Sequence, residues 1–511
     1  MFSDTNHNIL NFLSSRHGGL LVHPTSLPGE FGIGELGSYA FHFLDFLYEN
    51  MLSLWQILPL GPTGYGNSPY QCFSTFAGNP MLISLEKLIS LGLLNIQDCK
   101  DLMDLPKLRV DYGKLIPLKW EILKVAFDKF KDLKRSKLKT QFINFTKKHI
   151  NWLNDYSLFM SIKLSYNLIA WNKWEENLKF REPETLKLWE RDHAEEIEFH
   201  KFTQFLFINQ WNEIKNYANN KGIRIIGDIP IFVAYDSVDV WSHPEYYCLE
   251  KNREMKYIAG VPPDYFSATG QRWGNPLYNW KVMKENNYMW WIERISHILS
   301  LVDIVRIDHF RGFESYWQID AKEETAIKGK WIKGPGIDIF NKLKDKLGPL
   351  PVIAEDLGLI TPEVEELLCK TDFPGMRVLQ FAFMDESENP SKNKYFPHNF
   401  KQNTIVYTGT HDNQTTKAWF EDSSKKVQQL VLDYIDSDGK DIMGDLIRLA
   451  WSSVANMAVI PLQDLMRLDD SARMNFPGTI GNNWVWRFNW NQITDEFGKE
   501  LIKLNKLYGR S

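Results

Sequence analysis

The sequence predicts an α/β fold: a (β/α)8 TIM barrel with large helical and loop insertions and no C-terminal β-sandwich domain. Three observations predict it. Eight short apolar runs can be placed along the chain, the number a closed barrel needs. Segments of helical patterning lie between them, as around Thr361-Pro362-Glu363-Val364-Glu365-Glu366-Leu367-Leu368, and strand–helix alternation implies parallel strands. Four of the runs lead into a carboxylate, at Asp228, Asp308, Glu355 and Asp412, and the carboxyl ends of parallel barrel strands converge on one active site.

In chain order, the first two strands are expected at 19–23 and 54–59. Residues 81–205 then read as several Leu/Lys/Glu-rich helices without acidic strand ends, a helical insertion after the second strand. The third strand is expected at 223–228. Residues 232–290 follow it, dense in Pro, Gly, Tyr and Trp, and form a second insertion whose 260–276 part suits a lid. The remaining strands are expected at 303–308, 352–355, 377–381, 404–408 and 457–461. Only residues 462–511 follow, too few for a β-sandwich of about 100 residues. Residues 1–511 are therefore expected to form a single catalytic barrel unit.

Composition narrows the function. The 511 residues carry a formal charge of −5 and a pI near 6.2, with no strong basic stripe, so no nucleic-acid partner is expected. The Lys-rich stretch 129–148 reads as the solvated face of a helix. Cys72, Cys99, Cys248 and Cys369 are widely spread, as expected of reduced thiols in a cytoplasmic enzyme rather than a disulfide framework or zinc site. No apolar run reaches the ~18 residues of a membrane span, and the N-terminus lacks a basic-then-apolar signal pattern. No motif points to a nucleotide, metal or organic cofactor, and a monomer is the plain expectation. Aromatic residues make up 14% of the chain. Those in Gly/Pro-rich loops beside acids suit a carbohydrate, whose rings offer apolar C–H faces to aromatic planes.

The chemistry centres on Val305-Arg306-Ile307-Asp308-His309-Phe310-Arg311-Gly312. Arg306 and Asp308 point to the same side of a strand. A guanidinium there can keep Asp308 ionised, which suits a carboxylate nucleophile attacking an electrophilic carbon. An ordinary Arg–Asp pair at a strand end would explain this string alone. It does not explain the other acid-ended runs, Ile223-Arg224-Ile225-Ile226-Gly227-Asp228, Pro351-Val352-Ile353-Ala354-Glu355-Asp356 and Thr404-Ile405-Val406-Tyr407-Thr408-Gly409-Thr410-His411-Asp412.

Longer strings carry a family resemblance over nearly the whole chain. They include Leu21-Val22-His23-Pro24-Thr25-Ser26-Leu27-Pro28-Gly29 and Gly61-Pro62-Thr63-Gly64-Tyr65-Gly66-Asn67-Ser68-Pro69-Tyr70-Gln71. Next come Gly227-Asp228-Ile229-Pro230-Ile231-Phe232-Val233 and Gly260-Val261-Pro262-Pro263-Asp264-Tyr265-Phe266-Ser267-Ala268-Thr269-Gly270-Gln271-Arg272-Trp273-Gly274-Asn275-Pro276. With the acid-bearing strings, the chain resembles the 4-α-glucanotransferases, or amylomaltases, of glycoside hydrolase family seventy-seven. The Thr-His-Asp-Asn phrase is shared with the wider α-amylase clan, whereas the Pro-Pro-Asp-Tyr-Phe loop is far more specific.

The resemblance implies a retaining enzyme that cleaves and re-forms α-1,4-glucosidic bonds in glucans and maltooligosaccharides. Retention requires two carboxyl groups roughly 5–5.5 Å apart. Asp308 matches the family nucleophile, Glu355 the general acid/base and Asp412 the third acid that holds ring hydroxyls. Glu355 should then have a raised pKa. Arg306, Asp228, His309 and His411 match positions around the sugar at the cleavage point, and Tyr70 its stacking platform. Ser68 matches more weakly, since a Ser beside Pro in a turn needs no functional reason. Tyr65 matches a glucan contact away from the cleavage point, with loop packing an equal explanation. In the lid, Asp264, Tyr265, Phe266, Gln271 and Trp273 are candidates to hold an acceptor glucan, the alternative being a rigid loop packed on the barrel. Asp356 is read as structural.

Three functions follow from these residues. The leading one is α-1,4-glucan transfer. An amylase-type hydrolase is the second, and the lid argues against it, because transfer requires excluding water from the reactive intermediate. A silent glucan-binding protein is the third, and it has no need of the three acids.

Overall fold

In a computed structural model, which describes residues 2–134, 136–263, 267–384 and 390–510, twelve strands form two sheets. They are β1 (His17–Leu21), β2 (Leu54–Gln56), β3 (Arg224–Pro230), β4 (Tyr257–Val261), β5 (Gln271–Pro276), β6 (Ile304–Asp308), β7 (Ser315–Asp320), β8 (Gly329–Lys333), β9 (Val352–Ala354), β10 (Gly375–Val378), β11 (Thr404–Tyr407) and β12 (Met457–Pro461). Eight close into a parallel barrel in the order β1-β12-β11-β10-β9-β6-β3-β2. Its members are the eight apolar runs, with ends that coincide or shift by up to three residues. Strands β6, β9 and β11 are buried on both faces apart from the last residue of β6, which is why they read as continuous apolar runs.

Two of the end shifts have local causes. Strand β1 starts at His17 and takes in Gly19, where a Cβ would lie 2.4 Å from the Leu54 side chain; only glycine lets β1 and β2 approach so closely. Strand β10 starts at Gly375, where a Cβ would meet the Asp356 carboxylate at 2.9 Å. It ends at Val378, because Leu379–Ala382 turns into a short helix, so the strand expected at 377–381 sits two residues early.

Between β2 and β3 lie the helices Tyr112–Asp132, Lys137–Lys148, Ile150–Ser165, Pro183–Asp192 and Ala194–Asn220. The last of these also serves the barrel. Its buried Trp211 donates from Nε1 to the Leu301 carbonyl at 2.8 Å and packs 6.3 Å from Trp55 on β2. A buried Lys119–Glu35 ion pair ties the Tyr112–Asp132 helix to the loop after β1.

The second sheet is absent from the sequence reading. Strands β4, β5, β7 and β8 form an antiparallel sheet in the order β5-β4-β7-β8. The expected lid is therefore the β4–β5 hairpin, backed by β7. After β12 no β-sandwich follows among the described residues. The helix Asp495–Tyr508 leads instead to Arg510, whose guanidinium donates to the carbonyls of His17, Trp451 and Asn456 and so ties the β1–β12 seam. No helix among the described residues is long and apolar enough to cross a membrane.

Candidate active site

Strand register brings the acids together. Asp228 and Arg306 are direct partners across β3 and β6, so their side chains leave the same face of the barrel wall. Arg306 Nη1 donates to Asp228 Oδ2 at 2.5 Å. Asp308, the last residue of β6, lies beside the end of β9, where the Glu355 N–H donates to the Ile307 carbonyl at 3.1 Å. Arg306 Nη2 completes the arrangement, 3.3 Å from Asp308 Oδ1 and 3.3 Å from Glu355 Oε2. One guanidinium thus faces three carboxyl groups.

His309 shapes the next step of the chain. Its backbone is left-handed, with φ 56°, a conformation rare outside glycine and a source of local strain. It ends β6 directly after Asp308 and aims the His309 N–H at Glu355 Oε2, 2.5 Å away. Burial holds the His309 imidazole neutral, its pKa pushed down to about 4.

The surroundings act on the two carboxyls in opposite directions. Asp308 and Glu355 lie close enough for each to shift the other's titration. Burial and then the Glu355 charge push Asp308 well above the usual carboxylate range, against the pull of Arg306. Burial would raise Glu355 too, but Arg306 and the His309 N–H outweigh it and hold Glu355 below its ordinary value. Cleft water still reaches 29% of the Asp308 side chain and screens part of the push. The two carboxyls thus titrate as a pair. Arg306 Nη2 reaches both acids equally, and the His309 N–H adds a second donor to Glu355.

Around this centre lies a cleft of about 620 Å³, lined among others by Tyr65, Ser68, Tyr70, Gln271, Trp273, Asp308, His309, Glu355 and Asp412. Tyr70 forms one wall. Its hydroxyl donates to Asp228 Oδ2 at 2.7 Å, and its ring stacks on His411 with centroids 5.2 Å apart. On the opposite side, the Trp273 indole meets His309 edge-on at 4.8 Å and donates to Gln271 Oε1 at 3.0 Å. Tyr65 is 71% exposed at the mouth, so packing does not account for it. Asp264, Tyr265 and Phe266 lie outside the described residues. Asp356 is buried, accepts from the Met376 N–H at 2.7 Å and pairs with Arg377, a structural role.

One contributor escaped the sequence reading. Asn475 Nδ2 donates to Asp412 Oδ1 at 2.6 Å, and Arg473 donates to the Asp412 carbonyl at 2.7 Å. The following segment, through Gly478, Gly481 and Trp484, completes the cleft wall. Its Gly- and Asn-rich composition with a terminal Trp was the available signal. Among the described residues no group of three or more His, Cys, Asp or Glu is placed to hold a metal ion.

Comparison with known proteins gives this geometry its family. The sequence model of the 4-alpha-glucanotransferases matches residues 22–493. The chain belongs to the 4-alpha-glucanotransferase family. It is 48% identical to the 4-alpha-glucanotransferase of Synechocystis sp. over 502 residues, 98% of this chain and 99% of that protein. To the Thermus thermophilus 4-alpha-glucanotransferase it is 47% identical over 491 residues, 94% of this chain and 97% of the relative. The solved amylomaltase from Streptococcus agalactiae in complex with acarbose superposes with a TM-score of 0.94 at 39% identity, covering 97% of this chain and 100% of that one. The activity of this glucanotransferase is accordingly that of a glycosyltransferase-type enzyme acting on glucans.

Proposed function

We propose that the cleft transfers α-1,4-glucan segments from a donor maltooligosaccharide to the 4-hydroxyl of another glucan or of glucose, with retention, through a glucosyl ester on Asp308. The observation that carries this reading is that one nitrogen, Arg306 Nη2, lies 3.3 Å from both Asp308 Oδ1 and Glu355 Oε2, which brings the two carboxyls together on a single donor. An inverting enzyme keeps its carboxyls roughly 6.5–9.5 Å apart to admit a water, whereas a retaining pair is closer.

The first step needs the proton on Glu355. Positive charge developing at the anomeric carbon favours the Asp308 anion, which leaves the pair's proton to Glu355. Glu355 then protonates the leaving 4-oxygen while an Asp308 oxygen bonds to carbon. In the second step Glu355 takes the proton of the incoming 4-hydroxyl, which displaces Asp308. Arg306, fixed on Asp228, stabilises whichever carboxyl is ionised. Tyr70 supplies a stacking face for the donor sugar, and Asp412, held by Asn475, accepts hydrogen bonds from its ring hydroxyls. His309 and His411 line the same sugar, with Ser68 and Tyr65 further along the glucan. Gln271 and Trp273, with Asp264 and Tyr265, hold the acceptor.

The same reading takes the enzyme as a monomer of the cytoplasm without a nucleic-acid partner, its four cysteines free. Incubation with maltotriose tests it. A ladder of longer maltooligosaccharides plus glucose at constant reducing ends is expected; rising reducing ends without longer products would mean hydrolysis instead.

A further inference from the structure

A second cleft, of about 560 Å³, opens between the helix Ile150–Ser165, the helix Met289–Leu301 and the loop after β2. It shares no lining residue with the Asp308 cleft. Three aromatic side chains line it: Phe76, Trp152 and Trp290. Trp152 meets His297 edge-to-face at 5.7 Å, and Phe76 lies 5.3 Å from the same imidazole. Trp152 Nε1 donates to His149 Nδ1 at 3.3 Å, so the indole plane is fixed and the His149 nitrogen must be unprotonated. Two buried ring nitrogens in this wall, Trp290 Nε1 and His297 Nε2, have no hydrogen-bond partner, an uncommon condition for buried polar atoms.

The electrostatics select the ligand class. Burial pushes both His149 and His297 down to about 4, which leaves them neutral at physiological pH. Asp155 is paired with Arg181 at 2.6 Å, and Asp239 accepts two hydrogen bonds from Thr75. His243, raised despite its burial, is paired with Glu245 at 3.6 Å, and Lys148 and Glu293, of opposite sign, are the other charged residues on the lining. A site of mixed and largely satisfied charge gives an anion or cation no net attraction. Fixed aromatic faces beside neutral hydrogen-bonding groups fit an uncharged polyhydroxyl ring.

We infer that this second cleft binds a segment of α-glucan away from the cleavage point. The inference rests on the transferase reading for the identity of the sugar. One chain segment walls both sites: Tyr70 faces the catalytic cleft, and Ser74 and Phe76 face the second. Capture of a long glucan there raises its effective concentration at the enzyme, an advantage that maltotriose is too short to share.

The test measures amylose affinity by retardation in amylose-containing gels, in an Asp308→Asn background so that no substrate is consumed. Ser296→Trp, from the half-buried lining residue Ser296, fills the cleft. It is expected to weaken amylose binding at least about five-fold, the loss typical of one well-placed contact. Parental amylose affinity in a variant with the parental thermal midpoint would overturn the inference. If Ser296→Trp does not fold, Asn151→Trp from the exposed opposite wall carries the same test with the same two outcomes. Soaking crystals with maltoheptaose gives a second readout: sugar density against Trp152 supports the site, and density confined to the Asp308 cleft refutes it. The wild-type maltotriose ladder is measured beside these. Its absence sinks the transferase reading, whereas its presence with unaltered amylose binding in the variant sinks only the second site.

Discussion

Arg306 Nη2 stands 3.3 Å from Glu355 Oε2, held in place by the bond from Arg306 Nη1 to Asp228. This contact, together with the His309 N–H on the same oxygen, separates the titrations of the two carboxyls and predicts the pH profile. Asp308 is raised, so the last proton of the pair leaves above the ordinary range, and the rate falls there as pH rises because no acid remains. Glu355 is lowered, so a second proton binds only below its ordinary value, and the rate falls there as pH drops because no nucleophile remains. A bell-shaped kcat/KM on maltotriose is expected, with its alkaline limb above the roughly 4 to 4.5 of free carboxyls. In Glu355→Gln the alkaline limb should vanish and the rate drop about 10²–10⁴-fold. An alkaline limb at the free-carboxyl value would contradict the assignment.

Asp308→Asn is expected to lower transfer by about 10⁴-fold or more and yet to stabilise the protein. A carboxyl whose folded pKa is raised contributes stability at low pH that is lost as pH rises from the unfolded towards the folded value. At neutral pH it is therefore a cost, and the neutral amide removes it. The thermal midpoint should rise by about 1–3 °C at pH 7, and the gain should shrink as pH falls towards about 4, the unfolded carboxyl's value, below which none remains. Calorimetry at the two pH values checks both the sign and the trend.

The two layers of the molecule differed in how far they could be read from the sequence. The barrel was legible because burial of β6, β9 and β11 leaves unbroken apolar runs, and because their acids stand at strand ends. The antiparallel sheet was not, since Gly329-Lys330-Trp331-Ile332-Lys333 is largely exposed and shows no clean alternation. Asp308, Glu355 and Asp412 carry a charge at a telling position, whereas Asn475 is a neutral amide in a loop, 63 residues beyond its partner Asp412. The opposed shifts of Asp308 and Glu355 depend on the register of β3 against β6 and on the left-handed turn at His309. Neither is written in a local pattern.

Asn475 gives that loop a measurable role. Asn475→Ala removes the donor to Asp412 Oδ1. A hydrogen bond to a charged group contributes roughly 1.5–3 kcal/mol when buried, but the Asp412 side chain is 46% exposed, and water replaces part of the loss. A fall of about five- to ten-fold in kcat is expected, with the fold unaffected. In an Asp412→Ala background the same substitution should add nothing, as a double-mutant cycle would show. Independent, additive losses would mean that Asn475 acts elsewhere.

Trp273 tests what keeps water from the glucosyl ester. Its indole edge covers His309 at 4.8 Å, its Nε1 holds Gln271, and both side chains line the cleft on the hairpin side. Water outnumbers any sugar acceptor, so transfer wins only if the acceptor site is filled and otherwise shielded. Trp273→Ala removes the shield and leaves Gln271 without its anchor, while Asp308, Glu355 and Arg306 keep their contacts. Ester formation should therefore persist and its fate change. The ratio of hydrolysis to transfer on maltotriose is expected to rise several-fold, seen as new reducing ends, and KM for a glucose acceptor should rise with it. Trp273→Phe, which retains a ring against His309 but not the bond to Gln271, should fall between the two. Equal losses of hydrolysis and transfer in Trp273→Ala would place the residue in ester formation and leave water exclusion to other parts of the cleft.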